Sequence, residues 1–510
     1  MTNNSTAATM GRLATLLQDQ RKAFLKDLED GTAQGWVVAM GNEAGDLDSL
    51  ASSIAYATLS STLSPPTRSL PLLLTPKKYM SLRPENILAL NSALIPTQQP
   101  LSGAATPIFL HLEDLPVDPA ELAEKGIKFA LVDHNSLLPP FQSSNPSSHA
   151  EDPVVAIIDH HANDGNHNNA SPRLIQIPTG STTSLVTTYF QDAWQRAIHS
   201  GDEATVPPSE LATLLLSGIL IDTGALKAGF DVKTTDTDRK AAEFLYRISE
   251  PGNGSSTSNG YSAPGAVMTL ESLRAGRVAP ELTEFANKLF EAKNDVSELS
   301  THELLLRDYK EYTMHTSSAS DALNVGLSTV PMGLSIWLSR NLPAKGITPG
   351  WQPFVSAMDE WMDERNLDIA GVLTSFNNPP KEIGEKGKHK RELVFIVRAR
   401  QPVSDHSITR AEEIADALTA GINGAGPILD AQVWRPHKPF HKDEELVQGL
   451  EDELMNVREA RQVGRFGCVW RQGNAASTRK QVAPLVVSYC LALLWQMLLL
   501  TVNNVLKTGP

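Results

Sequence analysis

Short apolar runs recur through the N-terminal half of the chain, and each gives way abruptly to polar or acidic residues. Trp36–Met40, Leu70–Leu74, Pro107–Leu112, Phe129–Val132 and Val154–Ile158 are short, rich in Val, Ile, Leu and Ala, and read as buried strands. Helical patterns alternate with them. Leu13, Leu16, Leu17, Phe24 and Leu28 fall on one stripe within residues 10–30. Further helices are expected at Leu50–Leu59, at Pro84–Leu94 and from Gly180 to about Ala197. The apolar run Leu211–Ile221 is read as another strand, ending at Asp222. Strands alternating with helices predict an α/β fold with a mostly parallel sheet.

Beyond Glu250–Pro264, a loop-rich break, the pattern starts again. Leu270–Val296 reads as helical and joins two domains, and Asn324–Val330, Ile369–Ser375 and Glu392–Arg398 read as strands of a second domain. The expected division is residues 1–265, a helical linker at 266–300, and 301–510. Gln142–Asp152 and Asn377–Lys390 read as insertions. The second carries Lys381, Lys386, Lys388, His389 and Lys390, a charge run expected to be a solvated loop. Val482–Val502 is mostly apolar and approaches the length of a membrane span, but Pro484, Ser488 and Gln496 interrupt it and only Lys507 follows. A terminal core helix is the expectation for this tail (485–510), with a tail anchor or an altered gene-model end as alternatives.

With 510 residues, 41% hydrophobic and 20% charged, the chain has the composition of a globular protein of two domains or more. The net charge of -14 argues against nonspecific nucleic-acid binding. An anionic substrate would have to be drawn by local cations. Two cysteines, Cys468 and Cys490, exclude a disulfide scaffold and a cysteine zinc cluster and fit a reducing, cytoplasmic setting. The N-terminus lacks a secretory signal pattern, and no membrane association is expected.

The chemistry gathers where apolar runs end. Trp36–Met40 leads to Asp46 and Asp48, Phe129–Val132 to Asp133, Val154–Ile158 to Asp159-His160-His161, and Leu211–Ile221 to Asp222. Each alone is an ordinary turn. Together they matter, because a parallel sheet brings its strand ends to one edge. Carboxylates crowded there repel unless cations neutralise them. A mixture of carboxylate and imidazole suits Mn²⁺ or Mg²⁺, with Co²⁺ a further candidate. Gly180–Ser184 places hydroxyl residues at a helix start, readable either as a phosphate seat or as a plain cap. Lys227 follows Asp222, Arg479-Lys480 precedes the apolar tail, and Asp308-Tyr309-Lys310 offers a further, weaker cation.

Taken in order, the segments GNEAGDLDSLASSIAY (41–56), LVDHN (131–135), IIDHH (157–161), GSTTSLV (180–186) and ILIDTGALK (219–227) resemble the DHH phosphoesterase superfamily. LLLRDYKEY (304–312), VGLSTV (325–330), RELVFIV (391–397) and STRKQVAP (477–484) resemble its DHHA2-type second domain. Within the superfamily the chain is most similar to the yeast-type cytosolic exopolyphosphatases. The resemblance implies a DHH domain with a mostly parallel sheet, a smaller α/β DHHA2 domain, and an active site in the cleft between them. It implies two divalent metals held by Asp46, Asp48, Asp133, His160 and Asp222, with Asp133 bridging. Asp133 and His161 would be catalytic, His161 touching phosphate, and Asp159 would support its neighbours. Asn42, Ser181, Lys227, Lys310, Arg479 and Lys480 would meet substrate. The related family II pyrophosphatases have a histidine where this chain has Asn42, and an amide oxygen there would favour Mg²⁺ at one site. His134 departs from the expected motif and would be a ligand, a hydrogen-bond partner or a plain loop residue. The implied activity is release of terminal orthophosphate from inorganic polyphosphate by a metal-activated water. The alternatives are a family II-like pyrophosphatase, a short-chain nucleotide phosphodiesterase, or a partner-binding protein with little catalysis.

Overall fold

The computed structural model describes residues 11–95, 107–142, 151–229, 233–249, 268–314, 322–340, 351–378, 387–435 and 464–490. The chain divides into two compact units, Met1–Asp295 and Val296–Pro510.

In the first unit the helices are α1 (Arg12–Glu29), α2 (Leu47–Thr62), α3 (Pro84–Ser92), α4 (Glu121–Glu124), α5 (Thr182–Ser200), α6 (Ser209–Asp222), α7 (Asp236–Ile248), α8 (Leu270–Arg274) and α9 (Pro280–Asn294). The strands are β1 (Val37–Met40), β2 (Ser69–Leu73), β3 (Leu110–His111), β4 (Lys128–Val132), β5 (Val154–Asp159) and β6 (Arg173–Ile175). They form one parallel sheet in the order β3-β2-β1-β4-β5-β6. The order reverses between β1 and β4. In open α/β sheets the crevice at such a reversal, at the carboxyl ends of the strands, is where ligands bind.

Both faces of the sheet are covered, so its strands are apolar without polar alternation. Val38, Met40, Phe129, Leu131 and Ile157 pack on one side. On the other, Ala39, Ala130 and Ala156 meet the large helical core. Small residues there let α2 lie close to the sheet, and α2 is itself built from small residues: Ala51, Ser52, Ser53, Ala55 and Ala57. Every residue from Leu47 to Leu59 is buried. The carboxylate-bearing start of α2 is thus wedged against the strand ends.

One expectation is corrected here. Leu211–Ile221 is helical, not a strand: it forms most of α6, whose sides are buried all round, which erases the amphipathic period. Asp222 therefore sits at a helix C-terminus. The strand β6 lacked a signal because it is short and only partly buried. The Lys381 and Lys386 positions of the charge run and residues 491–510 of the tail lie outside the described residues.

In the second unit a mixed sheet runs β12-β13-β11-β9-β8-β7, with β10 on β11. These strands are β7 (Tyr309–Met314), β8 (Leu323–Val330), β9 (Ile369–Thr374), β10 (Phe376–Asn377), β11 (His389–Arg398), β12 (Ala431–Val433) and β13 (Arg465–Gln472). Among the described residues only β8 and β9 pair in parallel; the remaining pairs are antiparallel. Alternate residues face two cores: Val394 and Ile396 pack with Trp351 and Trp361, whereas Leu393, Phe395 and Val397 pack with Ile414 and Leu418. A terminal helix spans residues 479–490. No helix among the described residues is long and apolar enough to cross a membrane.

Ala55 on α2 is fully buried in this close packing. Ala55→Leu is expected to destabilise the first unit by about 1–3 kcal/mol through overpacking, read as a lower urea midpoint.

Candidate metal centre

At the reversal point the chain leaves β1 through Gly41 and leaves β4 through Asp133. Gly41 is required by crowding: a Cβ there would meet Ser49 Cβ at 2.6 Å and the Ser49 carbonyl oxygen at 2.9 Å. This approach brings the start of α2 onto the strand end. Asp133 has φ 63°, a left-handed conformation that aspartate tolerates better than most residues. Asp48 and Asp133 are 1% and 2% exposed, so each carboxylate needs internal partners.

Both are densely held. Asp48 Oδ1 accepts from Ser181 Oγ (2.6 Å) and Thr183 N (2.9 Å), and its Oδ2 accepts from Thr182 N (2.7 Å). Asp133 Oδ2 accepts from Ser49 Oγ (2.6 Å) and Asn42 Nδ2 (2.8 Å), and its Oδ1 from Thr182 Oγ1 (3.1 Å). The N-terminus of α5 thus serves a carboxylate of the protein itself, with the helix dipole adding to the attraction.

His160 completes the cluster. Its Nδ1–H donates to the Thr179 carbonyl oxygen at 3.1 Å, which leaves Nε2 as a lone pair. That lone pair stands 3.4 Å from Asp133 Oδ1 and 3.9 Å from Asp48 Oδ2. Three electron-rich atoms converge, and only a proton or a cation between them makes the arrangement favourable. The donor set of two carboxylates and an imidazole fits a divalent cation. Asp133, His160 and His161 can each bring one ligand atom within 4.8 Å of the others.

His161 is oriented differently. Its Nδ1–H donates to Asp159 Oδ1 at 2.8 Å, and 30% of its side chain is exposed. Asp159 Oδ1 also accepts from the backbone N–H of His160 and His161, and Oδ2 from Asn135 Nδ2 at 2.6 Å. Burial pushes Asp159 up, but the bonds from His161 and Asn135 outweigh it and hold the carboxyl below its ordinary range.

The other acids lie within electrostatic reach. Asp46 caps α2, accepting from Ser49 N at 3.1 Å. Asp222 is pushed up to about 7 by burial and by the charges of Asp48 and Asp46, against the pull of Lys293 and Lys233. Burial, then the neighbouring Asp48 and Asp46, raise Asp133 well above the usual carboxylate range. Asp48 is raised by burial and by Asp46, with His160 opposing.

Asn42 and Ser181, expected from the sequence to meet substrate, are 6% and 0% exposed and face inward. Asn42 turns its amide nitrogen to Asp133, while its oxygen accepts from Ala44 N at 2.9 Å. The oxygen expected to favour Mg²⁺ is thereby engaged with the backbone. The hydroxyls of Ser181, Thr182 and Ser184 bond the carboxylates of Asp48, Asp133 and Asp238, a carboxylate cradle at the start of α5. His134 donates through Nδ1 to Val132 O at 3.0 Å, and its Nε2 is buried with no partner among the described residues. Lys227 is exposed on the turn after α6, where Gly224, Ala225 and Leu226 all have positive φ. In the second unit Arg479 donates to Asp308 O (2.7 Å) and Asp308 Oδ1 (2.8 Å), next to the strand that carries Lys310. Lys480 is exposed one residue on. Sequence reasoning missed Ser49 and Asn135, and it named Thr182 and Thr183 only as part of the hydroxyl run at 180–184. The signal for Ser49 and Asn135 was a small hydroxyl or amide residue directly after Asp48 and two residues after Asp133.

Residues 36–219 match the family model described as "DHH family, N-terminal domain", and residues 287–489 match the "DHHA2 domain". The chain carries a DHH domain and a DHHA2 domain. Its broad class is that of a phosphohydrolase. A Schizosaccharomyces pombe protein named "Putative exopolyphosphatase" is 28% identical to this DHH protein over 469 residues, 92% of this chain and 94% of that one. A Streptococcus suis protein named "Probable manganese-dependent inorganic pyrophosphatase" is 35% identical over 127 residues, 25% of this chain and 35% of that one. An Archaeoglobus fulgidus protein of the same name is 34% identical over 125 residues, 24% of this chain and 33% of that one.

The raised carboxyls set the pH response of the metal-free protein. A carboxyl whose folded pKa exceeds its unfolded value stabilises the fold below the unfolded pKa, and loses that contribution as pH rises through the folded one. For Asp222 the loss runs up to about 7. The melting temperature in EDTA is therefore expected to fall between about pH 5 and about pH 8. Mn²⁺ at a hundredfold excess over its Kd should restore about 2.7 kcal/mol at the upper end. A melting temperature indifferent to both pH and Mn²⁺ would contradict the centre.

Proposed function

We propose that this DHH protein is a metal-dependent exopolyphosphatase that removes terminal orthophosphate from inorganic polyphosphate. The supporting observation is the His160 lone pair, locked by Thr179, converging with Asp133 Oδ1 and Asp48 Oδ2. Substrate choice draws on the near full-length similarity to a protein named as an exopolyphosphatase; the pyrophosphatase-named relatives match only a quarter of this chain. Cys468 and Cys490 form no disulfide, in keeping with a reducing cytoplasm.

In this reading Asp46, Asp48, Asp133, His160 and Asp222 hold two divalent ions, Mn²⁺ or Mg²⁺. Such ions would supply positive charge to phosphoryl oxygens and acidify a water. The residues of the chain do the rest. Asp133, with Oδ2 tied to Ser49 and Asn42, keeps Oδ1 turned toward the histidines. Protonated His161 would offer Nε2–H to a phosphate oxygen while Asp159 holds its Nδ1–H. Lys227, Lys310, Arg479 and Lys480 would bind further phosphates, Arg479 with the donors left after its bonds to Asp308.

Phosphate release from polyphosphate should exceed release from pyrophosphate in parallel assays with Mn²⁺ and Mg²⁺. Preference for pyrophosphate would favour the pyrophosphatase reading instead. Asp133→Asn should lower phosphate release by about a hundredfold or more, and near-normal release would rule out its role.

A further inference from the structure

Asp238 is a fully buried carboxylate that the reading above leaves unused. It is the third residue of α7, where it closes a capping box: Oδ2 accepts from Thr235 N (2.7 Å) and Thr235 Oγ1 (2.7 Å). A cap needs no more than these local bonds. Yet Oδ2 also accepts from Gly180 N (3.0 Å) and Oδ1 from Ser184 Oγ (2.7 Å), groups 58 and 54 residues away. Gly180 and Ser184 bracket Ser181, Thr182 and Thr183, the residues that hold both oxygens of Asp48. Asp238 therefore grips the cradle at both ends. The fit requires glycine at 180, because a Cβ there would meet Asp238 Oδ2 at 2.9 Å and Thr223 Cγ2 at 2.7 Å. Thr223 directly follows Asp222, so the same contact abuts the segment carrying a second acid of the centre.

We infer that Asp238 is a positioning residue for the metal centre: by fixing Gly180 and Ser184 it sets the donors that aim Asp48. The inference rests on the reading that Asp48 holds a divalent cation. Outer partners of metal ligands act in this way, and their loss weakens metal affinity. In Asp238→Asn the amide nitrogen would face Ser184 Oγ, and the bonds from Gly180 and Thr235 would lose their charge assistance, loosening the cradle while removing no ligand.

The test is Mn²⁺ titration by calorimetry on the full chain, for wild type, Asp238→Asn, Ser184→Ala and Leu245→Ala. Leu245 lies on the same helix, fully buried in the hydrophobic core, and controls for general loosening of α7. Asp238→Asn is expected to raise the Mn²⁺ Kd about 10- to 100-fold. Ser184→Ala, which removes one of the four bonds, should raise it less. Leu245→Ala should lower the melting temperature and leave Kd unchanged. If Asp238→Asn does not fold, Ser184→Ala decides. Wild-type Kd in the folded Asp238→Asn, or an equal loss in Leu245→Ala, overturns the inference. Failure of the wild type to bind Mn²⁺ overturns the metal reading, and the inference falls with it.

Discussion

The cost of burying Asp48 and Asp133 beside each other governs the first unit. Two carboxylates almost without solvent repel one another, and either alone would be expensive to bury. The fold meets this with a ring of donors: Ser49, Asn42, Ser181 and three groups from the first turn of α5. Those donors stay in place because the parallel sheet brings β1 and β4 side by side and reverses its order there. Even so the acids remain raised, and the Nδ1 proton of His160 is spent on Thr179 while its Nε2 faces the carboxylates. The ring lowers the cost of burial without neutralising the charge, as suits a site meant to receive a cation.

Much of this was legible before any coordinates. The strand ends at Asp133 and Asp159 stood out because buried parallel strands are continuous apolar runs that stop at a polar residue. The structure orients the two histidines differently: His160 turns to the carboxylates, and His161 is tied back to Asp159. Leu211–Ile221 was misread because a helix buried on all sides loses its period, leaving length as the only guide. The strand β6 escaped because a short, half-exposed segment has no pattern to show.

Direction is harder to read from sequence than identity. Nothing in GSTTS says whether its hydroxyls face a phosphate or a carboxylate of the same chain, and Asn42 by itself does not say which end of the amide looks at the site. Such orientations are set by contacts from distant segments: Asp48 lies 133 residues from Ser181, and Asp133 lies 91 residues from Asn42. Local sequence names the residue type a site needs; tertiary contact decides which atom serves it.

The packing of α2 has an evolutionary consequence. Its small residues let the helix press against Ala39, Ala130 and Ala156, and the same helix begins with Asp46 and Asp48. Drift in side-chain size along α2 would shift those two acids as well as disturb the core. Selection for folding and selection for chemistry therefore act on the same alanines and serines, and this stretch should diverge slowly even at positions that never touch a ligand.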